Sequence, residues 1–251
     1  MSATAWTKHL PDVLGALPLG GRLMRTDPGG RCPAPVAIVG LYPAVTRKGL
    51  FTCADGTKIW LPVEVEAQSF QDSASAVELE TRHVEPLGLS LEQIFTIDLY
   101  PYYLANTAKS ESGRSMADNV ARYENETSAK TAVKARPDAD AMVAMCRTLP
   151  GNAERLAFYF ETCRPALVIT LGNEVAAYAR GYAVAAKAQQ HLYGPPIDTD
   201  VFGAPCRVVH CRHPGVFIRA GNHKGVVDHG AWCSGRGRAL VQEALSMWKA
   251  P

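Results

Sequence analysis

The first strongly apolar run of the chain reads Val36-Ala37-Ile38-Val39 and is closed by Gly40 and Pro43. A short β-branched run that stops at turn residues is typical of a strand that is buried on both faces and ends in a tight loop. Three later runs have the same character, and each leads into a loop that contains Gly or Pro: residues 94–99, 166–171 and 207–210. The sequence therefore predicts four buried strands.

Helical segments separate these strands. Apolar residues recur at helical spacing in residues 153–163, and Arg164-Pro165 ends that helix before the next strand. Further helices are expected over 173–188 and 237–248. Because strands that alternate with helices form mostly parallel sheets covered on both faces, we predict a three-layer α/β/α fold with a mostly parallel central sheet of about four strands.

We interpret residues 1–251 as a single domain, because the chain has neither an internal repeat nor a linker between two cores. Residues 1–30 are expected to form an N-terminal extension. The polar and charged residues 109–140 are expected to form an insertion with some helix. A small hairpin is predicted around Asp55-Gly56.

The composition excludes several classes of protein. A hydrophobic fraction of 47% and a charged fraction of 20% are ordinary for a globular fold and exclude wholesale disorder. No apolar run approaches the roughly 20 residues of a membrane span, and no signal-type segment opens the chain. Seven scattered cysteines, an odd number, predict reduced thiols. We therefore expect a cytoplasmic protein that does not contact a membrane.

Polar residues follow the predicted strands. Asp98, Asn173, His210 and His213 all lie at or just beyond the carboxyl end of a strand. In open α/β sheets, ligands bind outside the carboxyl ends of the strands. One cleft is therefore expected to gather these side chains.

Three motifs resemble, in their order and spacing, those of the uracil-DNA glycosylase superfamily over residues 36–245. They are Gly40-Leu41-Tyr42-Pro43-Ala44 after the first strand, Gly172 after a later one, and His213-Pro214-Gly215-Val216-Phe217-Ile218-Arg219 near the end. The last motif is similar to that of the thermostable, iron–sulfur branch of the superfamily. The resemblance implies a DNA glycosylase that hydrolyses the N-glycosidic bond of a damaged or deaminated base, uracil or a related one.

The resemblance also assigns roles to individual residues. Gly40 and Tyr42 lie in the loop that positions water and contacts the flipped nucleotide in the family. Phe51 corresponds to the aromatic residue that stacks on the base. Asp98 stands where the family has the Asn that reads the base edge, and His213 corresponds to the His of the last motif.

Asp98 and His213 suit the chemistry of base excision. The reaction passes through an oxocarbenium-like sugar, which a carboxylate stabilises directly or by orienting the attacking water. The base leaves as an anion, which a donor at His213 stabilises. Leu41-Tyr42 stand where active family members carry an acid or amide, so Asp98 is the predicted catalytic carboxylate. An ionised Asp98 only accepts hydrogen bonds, which favours a base that presents amino donors.

DNA is the predicted partner, either single- or double-stranded, bound by a monomer. A stretch from 207 to 224 contains basic residues and no acid, which favours contacts with phosphates. Extrusion of a base from a duplex uses an apolar wedge, which the family takes from its His-Pro loop. The predicted DNA-binding residues are Arg212, Val216, Phe217, Arg219 and Lys224.

Neither a cofactor nor a metal is predicted. The iron–sulfur branch needs a closely spaced pair of cysteines, and no two cysteines of this chain lie within four residues of each other. The histidines and cysteines between His210 and Cys233 match no standard set of zinc ligands.

Other interpretations stay open. A non-catalytic module on the same fold, binding nucleic acid or nucleotides, is favoured by the missing acid in the first loop and predicts salt-sensitive binding. An unrelated α/β enzyme acting on a small nucleotide or ester is weaker, because no nucleophile elbow, phosphate-binding Lys loop or dinucleotide fingerprint is present. At the level of residues, Asp98 is alternatively a buried hydrogen-bonded acid, and Phe51, Val216 and Phe217 are alternatively core residues.

Overall fold

The computed structural model describes residues 29–43, 48–62, 74–110, 113–131, 133–218 and 223–249. The chain splits into two compact units. The first, which we call the sheet unit, contains residues 28–41, 70–100 and 139–251; the second, the hairpin unit, contains 1–27, 42–69 and 101–138. The predicted extension over 1–30 lies almost entirely outside the described residues, and most of the predicted insertion over 109–140 belongs to the hairpin unit.

The strands and helices follow one another along both units. In chain order the strands are β1 (Gly29–Gly30), β2 (Val36–Gly40), β3 (Lys48–Thr52), β4 (Lys58–Pro62), β5 (Ile94–Asp98), β6 (Leu104–Ala105), β7 (Lys134–Ala135), β8 (Leu167–Leu171), β9 (Ile197–Thr199) and β10 (Cys206–Cys211). The α-helices are α1 (Ala74–Leu79), α2 (Met116–Thr127), α3 (Ala139–Thr148), α4 (Asn152–Cys163), α5 (Asn173–Ala179), α6 (Gly215–Ile218), α7 (His223–Trp232) and α8 (Arg238–Met247).

A mixed six-stranded sheet forms the centre of the sheet unit, with the strand order β1-β5-β2-β8-β10-β9. The four strands predicted from the sequence are β2, β5, β8 and β10, and they pair in parallel. β1 and β9 flank them as antiparallel edge strands. The sheet therefore has six strands rather than about four, because the two short edges are too brief to give a periodic signal.

Both faces of the sheet are covered by side chains from helices. Ile38 packs in one buried cluster with Val241 of α8. On the opposite face, Phe95 contacts the rings of Tyr159 and Phe160 in α4. Because both faces are buried, the central strands read as continuous apolar runs.

Several helices differ from their predicted bounds. The helix predicted over 173–188 ends at Ala179 and is followed by a 3-10 helix, Ala185–His191. Gly181, with a φ of 71°, separates the two, since a left-handed residue ends an α-helix. The last helix, α8, follows a π-helical turn, Cys233–Gly237. Among the described helices, none combines the length and the apolar character needed to span a bilayer.

Cys32 and Cys163 form a disulfide that joins the loop before β2 to the end of α4. The prediction of reduced thiols is wrong for this pair. The two cysteines are 131 residues apart in sequence, yet their Cα atoms are 5.0 Å apart, and only the folded chain brings them together. The other five cysteines are free and buried: Cys53, Cys146, Cys206, Cys211 and Cys233.

The hairpin unit contains the antiparallel pair β3–β4, as predicted around Asp55-Gly56. One face of this hairpin packs on α2, where Ile59, Leu61 and Val120 share a buried cluster. Arg122 of α2 forms an ion pair with Asp55 in the turn, at 2.7 Å. The hydrogen bond from Arg122 holds the pKa of Asp55 well below its usual range.

Candidate functional site

The connectivity of the central sheet reverses direction between β2 and β8. From β2 the chain continues to β5 on one side, and its later strands β8 and β10 lie on the other side. In open α/β sheets, ligands bind at such a switch point, in the crevice outside the carboxyl ends of the strands. The crevice between the ends of β2 and β8 is therefore the expected position of a ligand site.

A glycine at the end of β2 makes room for Asp98. Gly40 is in register with Asp98, the last residue of β5. A Cβ atom at Gly40 would stand 2.3 Å from Oδ1 of Asp98. The Asp98 carboxylate therefore lies over the end of β2, next to the crevice, and a side chain at position 40 would displace it.

A second glycine marks the end of β8. Gly172 has a φ of +94°, in the left-handed region that favours glycine, and its N–H donates to the carbonyl of Cys211 at 2.8 Å. A Cβ atom at Gly172 would lie 3.5 Å from the Cβ of His213 and 3.7 Å from Oε2 of Glu174. His213 and Glu174 therefore border the β8 end of the crevice.

These two strand ends are neighbours in the sheet. Val39 pairs with Thr170; Gly40 follows Val39 directly, and Gly172 lies two residues after Thr170, on adjacent strands that are about 4.8 Å apart. Asp98 reaches this point from β5, and His213 reaches it from the loop after β10. The structure thus places the Asp98 carboxylate at the end of β2 and the Cβ atom of His213 at the end of β8.

Backbone contacts fix the imidazole of His213. The N–H of Gly215 donates to Nδ1 of His213 at 3.0 Å. A neutral imidazole that accepts at Nδ1 carries its proton on Nε2. Gly215 permits this close approach, because a Cβ atom there would meet Nδ1 at 3.1 Å. His213 therefore carries a donor, Nε2–H, in its neutral form.

Helix α4 holds the backbone that carries Asp98. Nη2 of Arg155 donates to the carbonyls of Asp98 at 2.7 Å and of Leu99 at 3.0 Å. Nδ2 of Asn152 donates to the Leu99 carbonyl at 3.1 Å and to that of Cys146 at 2.9 Å. Both side chains are buried, and Nε of Arg155 donates to Oδ1 of Asn152. Asn152 is the first residue of α4, and Gly151 is its N-cap.

Two buried histidines support the loop that carries His213. The ring centroids of His83 and His229 are 4.2 Å apart. Nε2 of His83 donates to the carbonyl of Arg212 at 3.0 Å, and Nε2 of His229 donates to that of Arg82 at 2.7 Å. Phe217 packs on His229 with a centroid distance of 4.8 Å. The segment from Arg212 to Phe217, which includes the start of α6, is thus anchored at both ends.

Burial keeps this histidine pair neutral. Desolvation, followed by the effect of neighbouring His229, lowers the pKa of His83 to about 3. Desolvation also lowers the pKa of His229 to about 4. His83 belongs to no recognisable motif, and His229 enters the sequence analysis only among the histidines and cysteines weighed as zinc ligands.

His210 lies within the sheet rather than in the crevice. Nε of Arg180 donates to Nε2 of His210 at 2.9 Å, so the proton of the neutral ring is on Nδ1 and is donated to Oγ1 of Thr170 at 2.7 Å. Burial, followed by the charge of Arg180, lowers the pKa of His210 to about 3. His210 therefore adds no positive charge to the basic stretch.

The predicted DNA-binding residues have different environments. Arg212 and Val216 are partly buried, and Phe217 is only 7% exposed. Arg219 lies outside the described residues, and Lys224 is described only by its backbone, in α7. Within the same basic stretch, Arg207 forms an ion pair with Glu243 at 2.8 Å.

Tyr42 and Phe51 belong to the hairpin unit. The guanidinium of Arg136 lies over the Tyr42 ring, 5.5 Å from its centroid. Phe51 is partly buried and packs edge-to-face on Tyr123, with ring centroids 5.0 Å apart. Stacking of Phe51 on a base stays a prediction.

The part of the chain that the structure describes contains no group of three or more His, Cys, Asp or Glu residues arranged to hold a metal ion. A scan against protein-family models and a search of curated proteins found no match to this sequence. The case for a function therefore rests on the residues of the crevice.

Proposed function

We propose that the protein is a DNA glycosylase-like hydrolase that cleaves the N-glycosidic bond of a damaged or deaminated base in the crevice between β2 and β8. The observation that carries this proposal is the presence of Asp98 and His213 at the ends of the adjacent strands β2 and β8. The proposal includes the three-layer, mostly parallel arrangement of the uracil-DNA glycosylase superfamily. The parallel order β5-β2-β8-β10 and the helical side chains on both sheet faces support that arrangement.

In the proposed reaction, a water oxygen bonds to C1′ of the sugar as the bond from C1′ to the base nitrogen breaks. The bonding pair leaves with the base, and the proton of the water passes to solvent through the Asp98 carboxylate. Asp98 also stabilises the positive charge that develops on the sugar. The Nε2–H of His213 donates to the carbonyl oxygen of the departing base and stabilises its negative charge.

The hydrogen bond from Gly215 supports a neutral His213 in this role. A neutral imidazole donates through Nε2 without a prior proton uptake, so the proposed reaction does not require acidic conditions. An ionised Asp98 accepts but does not donate, which favours a base that presents amino groups toward it.

An excision assay tests this proposal with single- and double-stranded oligonucleotides that carry uracil, hypoxanthine, xanthine or undamaged bases. We expect abasic sites for at least one base. Asp98→Asn should lower the rate by about 10²- to 10⁴-fold. His213→Ala should lower it by about 10²- to 10³-fold.

Matched controls are available in the sheet unit. Asp198 is an exposed carboxylate on edge strand β9, and Asp198→Asn should keep the wild-type rate. His191→Ala is the matched control for His213→Ala and should also keep the wild-type rate. Excision by Asp98→Asn at the wild-type rate would contradict the role of Asp98 as the catalytic carboxylate.

A non-catalytic module that binds nucleic acid or nucleotides is the second candidate. The absence of an acid from residues 40–43 favours it, as does the burial of Phe217 against His229. Salt-sensitive binding without abasic sites in the same assay would select this candidate. The monomeric state and the cytoplasmic location stay predictions, and the Cys32–Cys163 disulfide weighs against the cytosol, where disulfides are rare.

A further inference from the structure

The outward face of the β3–β4 hairpin carries an exposed apolar pair. Leu50 and Trp60 are direct partners across the two strands. Leu50 is 50% exposed and Trp60 is 53% exposed. The alternate residues of both strands, Phe51, Ile59 and Leu61, pack toward α2 instead. An exposed aromatic ring offers a surface on which an unpaired base can stack.

Two lysines flank this pair on the same face. Lys48 precedes Leu50 by two residues and Lys58 precedes Trp60 by two, so all four side chains share the outward face. Because the strands are antiparallel, the lysines lie on opposite sides of the pair, each about 7 Å along its strand. Thr52 is the other exposed residue here, and among the described residues of this face there is no acidic side chain.

Helix α2 holds the hairpin in place from behind. Nδ2 of Asn119 donates to the carbonyl of Trp60 at 3.0 Å. Glu126 accepts from the backbone N–H of Ala54 at 2.9 Å, and Arg122 pairs with Asp55 in the turn. The exposed pair is therefore presented on a fixed support, which lowers the entropy cost of binding.

We propose that this face, which we call the Trp60 face, binds single-stranded nucleic acid. One base stacks on Trp60 beside Leu50, and Lys48 and Lys58 contact the phosphates on either side. Aromatic stacking with flanking cations is the general chemistry by which proteins bind unpaired bases with little regard to sequence. A stable protein interface would need far more apolar area than one cross-strand pair. The proposal goes beyond the glycosylase function and depends on neither Asp98 nor His213.

Fluorescence anisotropy of a labelled oligo(dT) with the full-length chain, over a series of salt concentrations, tests the proposal. Trp60→Ala should weaken binding roughly 5- to 150-fold. Trp60→Phe should restore most of the affinity, because a phenyl ring also stacks. The double variant Lys48→Glu/Lys58→Glu should reduce the slope of log affinity against log salt by about 1.4, since each phosphate contact with a single strand contributes about 0.7.

Met247 and Lys187 provide matched controls, since both are exposed side chains of the sheet unit. Met247→Ala and Lys187→Glu should bind oligo(dT) as the wild type does. Wild-type affinity in Trp60→Ala, or no oligonucleotide binding by the wild-type protein at low salt, would overturn the proposal. Asp98→Asn should keep Trp60-dependent binding, so a failed excision assay with intact binding contradicts the glycosylase proposal alone.

Discussion

Burial holds three histidines of the sheet unit in the neutral state: His83, His210 and His229. Each has a pKa lowered from 6.5 to between about 3 and about 4, chiefly by desolvation. An unfolded histidine takes up a proton near pH 6.5, whereas the folded one stays neutral until the pH reaches its lowered pKa. The unfolded state therefore binds more protons in this range, and stability is lost as the pH falls.

We predict that removal of one such histidine reduces the pH dependence of stability. Each buried histidine contributes a slope of about 1.4 kcal/mol per pH unit between its unfolded and folded pKa. His210→Ala should therefore lower the slope of the unfolding free energy by that amount between pH 6 and about pH 4. Urea unfolding at a series of pH values measures this slope. An unchanged slope in the variant would show that His210 is not held neutral.

At the scale of single residues, the sequence identifies the candidate side chains at the strand ends. It does not identify the groups that orient those side chains. Asp98 and His213 stand out because each lies at or just beyond the carboxyl end of a predicted strand. The hydrogen bond from Gly215 to His213 depends on loop geometry, and the donors of Arg155 reach Asp98 from a helix 57 residues away. Such contacts across the chain have no local signature.

Among the secondary-structure elements, α4 and β2 together hold the end of β5, where the N–H of Leu99 donates to the Gly40 carbonyl at 2.9 Å. The buried Asn152 and Arg155 of α4 donate to the carbonyls of Asp98 and Leu99. A buried carbonyl that loses its donor costs about 1–3 kcal/mol. The polar pair is therefore a structural requirement for the strand end that carries Asp98.

We predict that Asn152→Ala lowers the free energy of unfolding by about 1–3 kcal/mol, because the buried Cys146 carbonyl loses the Asn152 donor and the Leu99 carbonyl keeps only that of Arg155. Urea unfolding measures the loss. Asn125 is an exposed residue of α2 and offers the matched control, so Asn125→Ala should change stability by less than about 0.5 kcal/mol. Equal effects of the two substitutions would contradict the role given to Asn152.

Elements with a strong apolar pattern are the ones that the sequence predicts correctly. The runs that became β2, β5, β8 and β10 are buried on both faces, which makes their pattern continuous. β1 consists of two glycines and β9 of three partly polar residues, so their pairing depends on the sheet rather than on their own composition. The helix predicted over 173–188 is shorter for a local reason, namely the left-handed Gly181.

On the scale of the whole molecule, the sheet unit is assembled from three separate stretches of the chain. The chain leaves it twice, for residues 42–69 and 101–138, and returns each time to add strands to the same sheet. Cys32 lies before the first departure and Cys163 after the second return, so their disulfide closes the unit across both excursions. A cross-link over so long a loop restricts the unfolded chain strongly.

We predict that loss of this disulfide lowers the free energy of unfolding by about 2–5 kcal/mol. Denatured protein without reductant should expose five reactive thiols and reduced protein seven, matching the five free cysteines and the disulfide pair. Cys32→Ser/Cys163→Ser should unfold at a lower urea concentration than the oxidised wild type. Reductant should destabilise the wild type toward the double variant and leave the variant itself unchanged. Seven reactive thiols before reduction would contradict the disulfide, because all seven cysteines would then be reduced. The sheet unit would in that case be closed by packing alone.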